Sequence, residues 1–267
     1  MSRKQDKAVA IIPARMGSTR FPGKALADET GKPMVVHVCE QASRAESIER
    51  VVVATDAREI FDAVNAHGFD AVMTSDEHTN GSSRLAEAAE TLKLKGVQWI
   101  VNVQGDEPEI EPECIDAAAR ATGMLGDPPL SRFVPYGPSV GTVASPITDP
   151  ADFENPNVVK AVVGILEPDV GVGNGLYFSR SPIPYCRDGL VGNTPLRHVG
   201  IYSYTVAALR RYLSWEPTPL ERTESLEQLR WLEHGHAIAV AVRASSHTGI
   251  DTPEQYRAFV ERWHAKN

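Results

Sequence analysis

The residues best suited by type and spacing to bind a ligand lie near the start of the chain, in a loop that follows the apolar run at residues 9–12. This loop supplies three cations, Arg15, Arg20 and Lys24, together with two hydroxyls and two glycines. Guanidinium groups bind phosphate oxygens through paired donors, an ammonium group adds a point charge, and glycine lets the backbone approach an anion closely. The loop is therefore predicted to bind a polyphosphate.

The spacing of this loop excludes the two commonest phosphate-binding motifs. Five residues separate Gly17 from Gly23, and Ala25 stands directly after Lys24. A P-loop needs four residues between its glycines and a Ser or Thr after its lysine, and a G-x-G-x-x-G pattern is also absent from this loop. From these residues alone, a solvated basic surface loop remains the alternative interpretation.

Two carboxylates occupy comparable places further along the chain. Asp106 follows the apolar run at residues 97–103, and Asp251 precedes a helix that Thr252 and Pro253 are predicted to begin. Mg²⁺ prefers a few carboxylates combined with phosphate oxygens and water. If the two loops converge on one edge, they form a metal–nucleotide site; the alternative for Asp106 is a turn in which it caps local backbone.

The hydrophobic pattern predicts the elements that would position these groups. The strand-length runs are residues 9–12, 51–54, 70–73 and 97–103, and the helical patterns are residues 33–39, 57–67, 84–93 and 112–122. Alternation of this kind predicts a parallel sheet with helices on both faces. Ligands then bind beyond the carboxyl ends of the strands.

The second half of the chain has a different pattern. Strands are predicted at residues 141–144, 158–165, 175–178 and 198–204, a single helix at 220–234, and a last strand at 237–242. The strand run suggests an antiparallel extension that carries an acceptor pocket and a dimer face. The Gly- and Pro-rich residues 123–139 are predicted to form a lobe boundary or a mobile loop.

Composition limits the class of protein. The chain has 267 residues, is 42% apolar and carries a net charge of -8, which argues against nucleic acid as a partner. The sequence contains no apolar run long enough to span a membrane. Three widely spaced cysteines, Cys39, Cys114 and Cys186, fit reduced thiols better than disulfides. We expect a cytoplasmic protein.

Residues 11–24 resemble the signature I-P-A-R-x-x-S-T-R-[LF]-P-G-K of the 3-deoxy-manno-octulosonate (Kdo) cytidylyltransferases and match every fixed position. Residues 101–108 are similar to the metal-binding motif of that family. Further matches follow in the same order at residues 155–160, 176–180, 196–202, 219–221, 226–230 and 248–254. Several separate motifs in one order make the resemblance specific, and it extends over nearly the whole chain.

The resemblance implies a fold and a set of site residues. The fold is α/β and Rossmann-like, that of the nucleotide-diphospho-sugar transferases, with a mostly parallel central sheet, helices on both faces and a smaller antiparallel extension. The implied CTP-binding residues are Arg15, Ser18, Arg20, Lys24, Gly81, Ser82 and Gln104, and the implied catalytic residues are Arg15, Lys24, Asp106 and Asp251. The resemblance also implies that Asp106 and Asp251 bind Mg²⁺, as two ions. The implied sugar-acid pocket consists of Gln104, Arg180, His198, Tyr202, Glu227 and Gln228.

The resemblance also implies one domain over residues 1–267. Its nucleotide-binding part is about residues 8–122, a sugar-binding and dimerisation lobe covers 140–204, and residues 205–267 complete the metal site. The implied reaction transfers CMP from CTP to Kdo for lipopolysaccharide synthesis, in a homodimer that binds small molecules. The alternatives are a cytidylyltransferase for 8-amino-Kdo, sialic acid or a phosphonate, or a nucleotide-binding regulator without turnover.

The chain departs from the family pattern in two places. Where the family reads H-x-S-G-T-[ED]-R, residues 78–84 have Asn80 and Ser83 in place of a serine and an acidic residue. These changes bear on contacts with the base and on nucleotide preference. Tyr185 and Cys186 replace a tryptophan-containing pair, a change that could tune the acceptor toward an amino-substituted Kdo.

Overall fold

The structure is a computed structural model that describes residues 7–78, 80–96, 98–123, 140–167, 171–185, 187 and 194–266. These residues form two compact units. The first unit comprises residues 7–116 and 246–267, and the second comprises residues 117–245. Apart from Gly123, the predicted boundary loop at 123–139 lies outside the described residues, as does Cys186.

Nine strands and nine α-helices are present in the described residues. The strands are β1 (Ala8–Ala14), β2 (Ile48–Thr55), β3 (Asp70–Met73), β4 (Trp99–Asn102), β5 (Val140–Pro146), β6 (Lys160–Glu167), β7 (Val172–Ser179), β8 (Leu196–Thr205) and β9 (Ile238–Val242). The helices are α1 (Met34–Ser43), α2 (Arg58–Ala66), α3 (Gly81–Thr91), α4 (Pro112–Ala121), α5 (Pro150–Glu154), α6 (Val206–Leu213), α7 (Pro219–Glu224), α8 (Gln228–Glu233) and α9 (Pro253–Lys266).

The sheet of the first unit is parallel and has the strand order β3-β2-β1-β4. At its centre, Ile11 of β1 pairs with Val52 of β2 and with Asn102 of β4. Ile11 and Ile12 are completely buried, as expected of a strand covered on both faces. The predicted alternation of strands and helices is confirmed in this unit, and it brings the loops after β1, β3 and β4 to one edge.

The sheet of the second unit is mixed and has the order β8-β5-β9-β7-β6. Its neighbours are antiparallel except for β5 and β9, which run parallel, for example where Thr142 lies beside Val240. The parallel pair exists because β9, which comes from much later in the chain, is inserted between β5 and β7. The predicted extension is therefore antiparallel apart from this one pairing.

The helix predicted at residues 220–234 is in fact two helices, α7 and α8, so that prediction was wrong. Ser225 ends α7 in the left-handed conformation, with φ of 52°, and the chain turns before α8 begins. A left-handed residue interrupts the helical path, and no glycine marks the position in the sequence. An ion pair between Glu221 of α7 and Arg230 of α8 joins the two pieces.

The start of α3 was also predicted wrongly, since the helix begins at Gly81 rather than at residue 84. Asn80 is the N-cap, and its Oδ1 accepts a hydrogen bond from the backbone N–H of Ser83 at 2.9 Å. An asparagine cap satisfies one of the exposed donors of the first helical turn. Gly81 and Ser82 therefore belong to the N-terminal turn of α3 rather than to a loop.

Two further expectations concern membranes and thiols. Every helix within the described ranges is too short or too polar to span a lipid bilayer. Cys39 and Cys114 are both buried, and neither takes part in a disulfide.

Candidate active site

A cavity of about 300 Å³ opens at the carboxyl-end edge of the first unit's sheet. Its walls come from the loops after β1, β3 and β4 and from the segment before α9. The residues predicted to bind CTP line it, except for Ser82; they are Arg15, Ser18, Arg20, Lys24, Gly81 and Gln104. Asp106 and Asp251 line the same cavity, which has the size of a small-molecule site.

The loop after β1 is folded by its own backbone. The carbonyl of Met16 accepts hydrogen bonds from the N–H groups of Ser18 and Gly23, at 2.9 and 3.2 Å. Gly23 has a φ of 72°, a conformation that a residue with a Cβ adopts only with strain. A short 3₁₀ turn, Lys24–Leu26, follows at once. The turn at Gly23 therefore places Lys24 at the cavity instead of continuing the loop outward.

The ammonium group of Lys24 lies between the two predicted metal ligands. Its Nζ is 2.8 Å from Asp106 Oδ2 and 3.2 Å from Asp251 Oδ1, and it also donates to the carbonyl of Ile250 at 2.9 Å. Arg20 pairs with the other oxygen of Asp251 at 2.9 Å. The Lys24 side chain is only 16% exposed. Two carboxylates from distant parts of the chain thus share one cation.

This arrangement tests whether Asp106 and Asp251 fit a divalent cation. Both carboxylates reach one positive centre, and Mg²⁺ needs few protein oxygens when phosphate and water complete its coordination. The donor set therefore fits Mg²⁺. Arg15 is exposed, lines the cavity and pairs with no carboxylate among the described residues, so its guanidinium can bind an anion.

Gly105 lets the loop after β4 press against the end of β1. A Cβ at this position would lie 2.6 Å from the backbone oxygen of Pro13, closer than real Cβ contacts. The glycine next to Asp106 is therefore required by packing between two backbones. It fixes how close the carboxylate comes to the loop that carries Lys24.

We expect Gly105→Ala to lower the free energy of unfolding by about 1–3 kcal/mol, because an overpacked backbone must shift. Turnover should fall by about a hundredfold, since a shift of 1 Å at a catalytic group has that cost. Chemical denaturation and steady-state kinetics measure the two effects. Gly17→Ala is the control for stability, because a Cβ at Gly17 meets no atom within 4 Å. Equal stability of Gly105→Ala and wild type would contradict the steric argument.

Asp251 is held by the residues on either side of it. The backbone N–H of Ile250 donates to the carbonyl of Asp106 at 2.8 Å. The Ile250 side chain is buried with Met34, Tyr256 and Phe259. The backbone N–H of Asp251 donates to Gln255 Oε1 at 2.7 Å, in the first turn of α9. The loop that carries Asp251 is thus attached directly to the loop that carries Asp106.

His78 and Arg84 also line the cavity, and neither was among the predicted site residues. Arg84 is buried and donates to Asp56 and to Thr74, both at 2.6 Å, which anchors the first turns of α3. His78 pairs with Glu87, and its Nδ1 lies 3.0 Å from Ser83 Oγ. The sequence signal that could have identified these residues was their position after β3, at the same edge of the sheet. Ser83, which replaces an acidic residue of the family motif, is engaged with His78.

In the second unit, three of the predicted sugar-pocket residues lie together. The rings of His198 and Tyr202 are 5.4 Å apart, and Tyr202 Oη donates to Gln228 Oε1 at 3.1 Å. Gln228 Nε2 is buried with no hydrogen-bond partner among the described residues. Burial lowers the pKa of His198 to about 4, so the ring is neutral at pH 7 and its Nε2 contacts Thr142 Oγ1 at 2.9 Å.

Arg180 and Glu227 have other contacts in that unit. The guanidinium of Arg180 donates to the carbonyls of Glu224 and Pro156, at 2.7 and 3.0 Å. Glu227 is the N-cap residue of α8, and its carbonyl accepts from Tyr212 Oη at 3.4 Å. Burial, and after it the charge of the Glu227 carboxylate, raise the pKa of Tyr202, so Glu227 acts electrostatically on that cluster. Gln104 belongs to the first unit.

The fold and the first-unit site define a nucleotidyltransferase, because a parallel sheet presents cations for a polyphosphate beside paired carboxylates. A solved structure described as CMP:2-keto-3-deoxy-manno-octonic acid synthetase complexed with CTP is similar, with a TM-score of 0.84. It is 37% identical in sequence and covers 98% of this chain and 100% of that chain.

The family model described as cytidylyltransferase matches residues 9–238. The 3-deoxy-manno-octulosonate cytidylyltransferase of Acidovorax sp. (strain JS42) is 47% identical, over 91% of this chain and 92% of that protein. Its namesake from Neisseria gonorrhoeae (strain NCCP11945) is 46% identical, over 92% of this chain and 94% of that protein. The chain belongs to the cytidylyltransferase family, in the group of the 3-deoxy-manno-octulosonate cytidylyltransferases.

Proposed function

We propose that this protein transfers CMP from CTP to the anomeric hydroxyl of Kdo, forming CMP-Kdo and pyrophosphate. The observation that carries the proposal is the convergence of Lys24, Asp106 and Asp251 in one cavity at the sheet edge. The names of the relatives and of the similar CTP complex support the choice of nucleotide and acceptor.

We assign the triphosphate of CTP to the loop after β1. Arg15 and Arg20 offer paired donors to phosphate oxygens, and Lys24 offers a third charge from the floor of the cavity. Gly81, in the first turn of α3, borders the same cavity, and helix N-termini favour anions. These groups hold the reacting phosphorus and offset the charge that develops on the departing pyrophosphate.

We assign Mg²⁺, as two ions, to Asp106 and Asp251. When bound, the metal supplies charge neutralisation on the phosphate oxygens and a lower pKa for the attacking hydroxyl. The two carboxylates would hold the metal, and Lys24, which they bind in this structure, would offer its charge to the phosphate. The reaction needs no covalent intermediate, because the acceptor hydroxyl attacks phosphorus directly.

For the sugar acid we propose recognition by Gln104, Arg180, His198, Tyr202, Glu227 and Gln228. A guanidinium matches a carboxylate, and neutral His, Tyr and Gln side chains offer mixed donors and acceptors to hydroxyls. The partnerless amide nitrogen of Gln228 supports this assignment, because a buried donor without a partner is costly unless a ligand completes it. His198, neutral at pH 7, interacts with the sugar without adding charge.

The rest of the proposal concerns the cellular setting. We propose a homodimer that acts in the cytoplasm and supplies activated Kdo for lipopolysaccharide synthesis. These points are what the sequence resemblance implies, and the free thiols of Cys39 and Cys114 are compatible with a reducing compartment. Size-exclusion chromatography with light scattering measures the oligomeric state.

A product assay tests the function. The protein is incubated with CTP, Mg²⁺ and one acid at a time from Kdo, 8-amino-Kdo, sialic acid and a phosphonate. We expect pyrophosphate and CMP-Kdo with Kdo. Release of pyrophosphate with only one of the other acids would identify that acid as the acceptor. No pyrophosphate release with any acid would favour a nucleotide-binding regulator. Replacing CTP by UTP or ATP tests whether Asn80 and Ser83 alter base preference.

A further inference from the structure

Asp251 lies in a segment without regular secondary structure, residues 243–251, between β9 and α9. A catalytic group on such a segment needs tethers, because an irregular backbone keeps conformational freedom that must be lost when the metal binds. One tether is the hydrogen bond from Ile250 to the Asp106 carbonyl. A second tether lies further upstream, at Ser246 and His247.

This second tether is a group of four residues, Glu107, Glu111, Ser246 and His247, which we call the His247 clasp. Glu111 Oε1 accepts from the backbone N–H and the hydroxyl of Ser246, at 3.0 and 3.3 Å. Glu111 Oε2 lies 2.6 Å from His247 Nδ1. On the other side of the ring, His247 Nε2 is 3.6 Å from Glu107 Oε2. The His247 side chain is 2% exposed, so water does not compete for these contacts.

The geometry of the clasp favours hydrogen bonding over metal binding. Cys114 Sγ is 3.6 Å from Glu111 Oε2, so Glu111, Cys114 and His247 together resemble a zinc ligand set. Ligand atoms about 2.0–2.1 Å from a tetrahedral ion are about 3.3 Å apart. The observed 2.6 Å between His247 Nδ1 and Glu111 Oε2 is the separation of a charge-assisted hydrogen bond.

The charge on His247 strengthens the clasp. The titratable groups around it are Glu107 and Glu111, from the loop after β4, and Cys114, from α4. Burial alone would lower the pKa of His247, but the two carboxylates outweigh burial and raise the pKa above its usual value. The raised pKa favours the doubly protonated ring, in which each nitrogen faces a carboxylate.

The clasp joins the same two loops that carry the metal ligands. Glu107 directly follows Asp106, and His247 lies four residues before Asp251. We propose that His247 is a positioning residue, which holds the Asp251 segment against the Asp106 loop and thereby sets the separation of the two carboxylates before metal binds. This inference rests on the proposed assignment of Mg²⁺ to Asp106 and Asp251.

The first test compares wild type with His247→Ala in metal dependence. We expect the Mg²⁺ concentration for half-maximal turnover to rise about tenfold, as for other residues that orient metal ligands. The Kd for Mn²⁺ in the presence of CTP, measured by electron paramagnetic resonance, should rise by a similar factor. At saturating Mg²⁺, kcat should return to near the wild-type value, because the metal itself then orders the segment.

Two further variants keep this test decisive. Glu111→Gln preserves the shape of the clasp and an acceptor for Ser246, so it is expected to fold even if His247→Ala does not, and to raise the Mn²⁺ Kd. His67→Ala is the control, since His67 is exposed and its ring, within the described part of the chain, bonds to the carbonyl of Ala63 in the preceding helix. If Glu111→Gln and His247→Ala bind Mn²⁺ as wild type does, the positioning role is wrong. Absence of turnover in wild type would instead refute the proposed function.

The pH profile separates positioning from ordinary packing. The raised pKa of His247 means that the clasp is complete below the usual histidine value and weakens as pH rises through the raised value. The half-activating Mg²⁺ concentrations of wild type and His247→Ala should therefore approach each other as pH rises. A ratio that stays constant with pH would contradict the proposal.

Discussion

Asp106→Asn and Asp251→Asn are each expected to lower kcat by roughly a thousandfold, equivalent to about 4 kcal/mol. Each change removes one of two carboxylates that share the Lys24 ammonium, and with it one of the proposed oxygen ligands for Mg²⁺. The free energy of unfolding should change by no more than about 1 kcal/mol, because partly exposed ion pairs contribute little to stability. The Asp106 and Asp251 side chains are 32% and 41% exposed.

Steady-state kinetics at saturating Mg²⁺, together with chemical denaturation, measure both quantities for the same preparations. Asp70→Asn is a matched control, since Asp70 also forms an exposed ion pair, with Arg50 at 2.7 Å, but lies outside the cavity. It should retain wild-type turnover. Wild-type turnover by Asp106→Asn or Asp251→Asn would remove that residue from the metal site.

Arg230→Met, in contrast, is expected to act mainly on stability and to lower the free energy of unfolding by about 3–5 kcal/mol. Arg230 and Glu221 form a buried pair with two hydrogen bonds, at 2.6 and 2.5 Å, and their side chains are 7% and 10% exposed. The guanidinium also lies 4.4 Å from the ring centre of Tyr212. Removing it leaves the Glu221 carboxylate buried without its counter-charge.

A second substitution tests this explanation. Adding Glu221→Gln to Arg230→Met removes the stranded charge while keeping an oxygen for the N–H of Thr218, so the double variant should recover part of the lost stability. Guanidinium-induced unfolding of wild type, Arg230→Met, Glu221→Gln and the double variant completes the double-mutant cycle. Arg257→Met is the control, because its pair with Glu254 is exposed and should be worth less than about 1 kcal/mol. A double variant less stable than Arg230→Met would contradict the charge argument.

The two predictions bear on different features of the chain. The carboxylates at the cavity are partly exposed and paired with a lysine. Replacing them should therefore cost little stability but remove the proposed metal ligands. The pair in the second unit is buried and joins α7 to α8 across the turn at Ser225, so its energy maintains the fold. Loss of turnover at nearly unchanged stability in the first case, and loss of stability as the main effect in the second, would separate the two roles.

Local features of the sequence were sufficient for much of the fold and for locating the cation-rich loop after β1. The apolar run before Pro13 and the glycines beside Arg15, Arg20 and Lys24 act within a few residues of one another, so their pattern is readable without a structure. Likewise, Thr252 and Pro253 marked the start of α9. The break at Ser225 was not readable, because a serine in the left-handed conformation has no distinctive local signal.

Only the tertiary structure decided which distant groups meet. Lys24 and Asp251 are 227 positions apart, and Glu111 and His247 are 136 apart, yet both pairs are within hydrogen-bonding distance. Periodicity specifies which face of a strand or helix is apolar, but it contains no information on where two loops at a sheet edge touch. The sequence by itself determined the cation-rich loop after β1 and the strand–helix alternation; packing of the loops after β4 and β9 decided the lysine-bridged carboxylates and the His247 clasp.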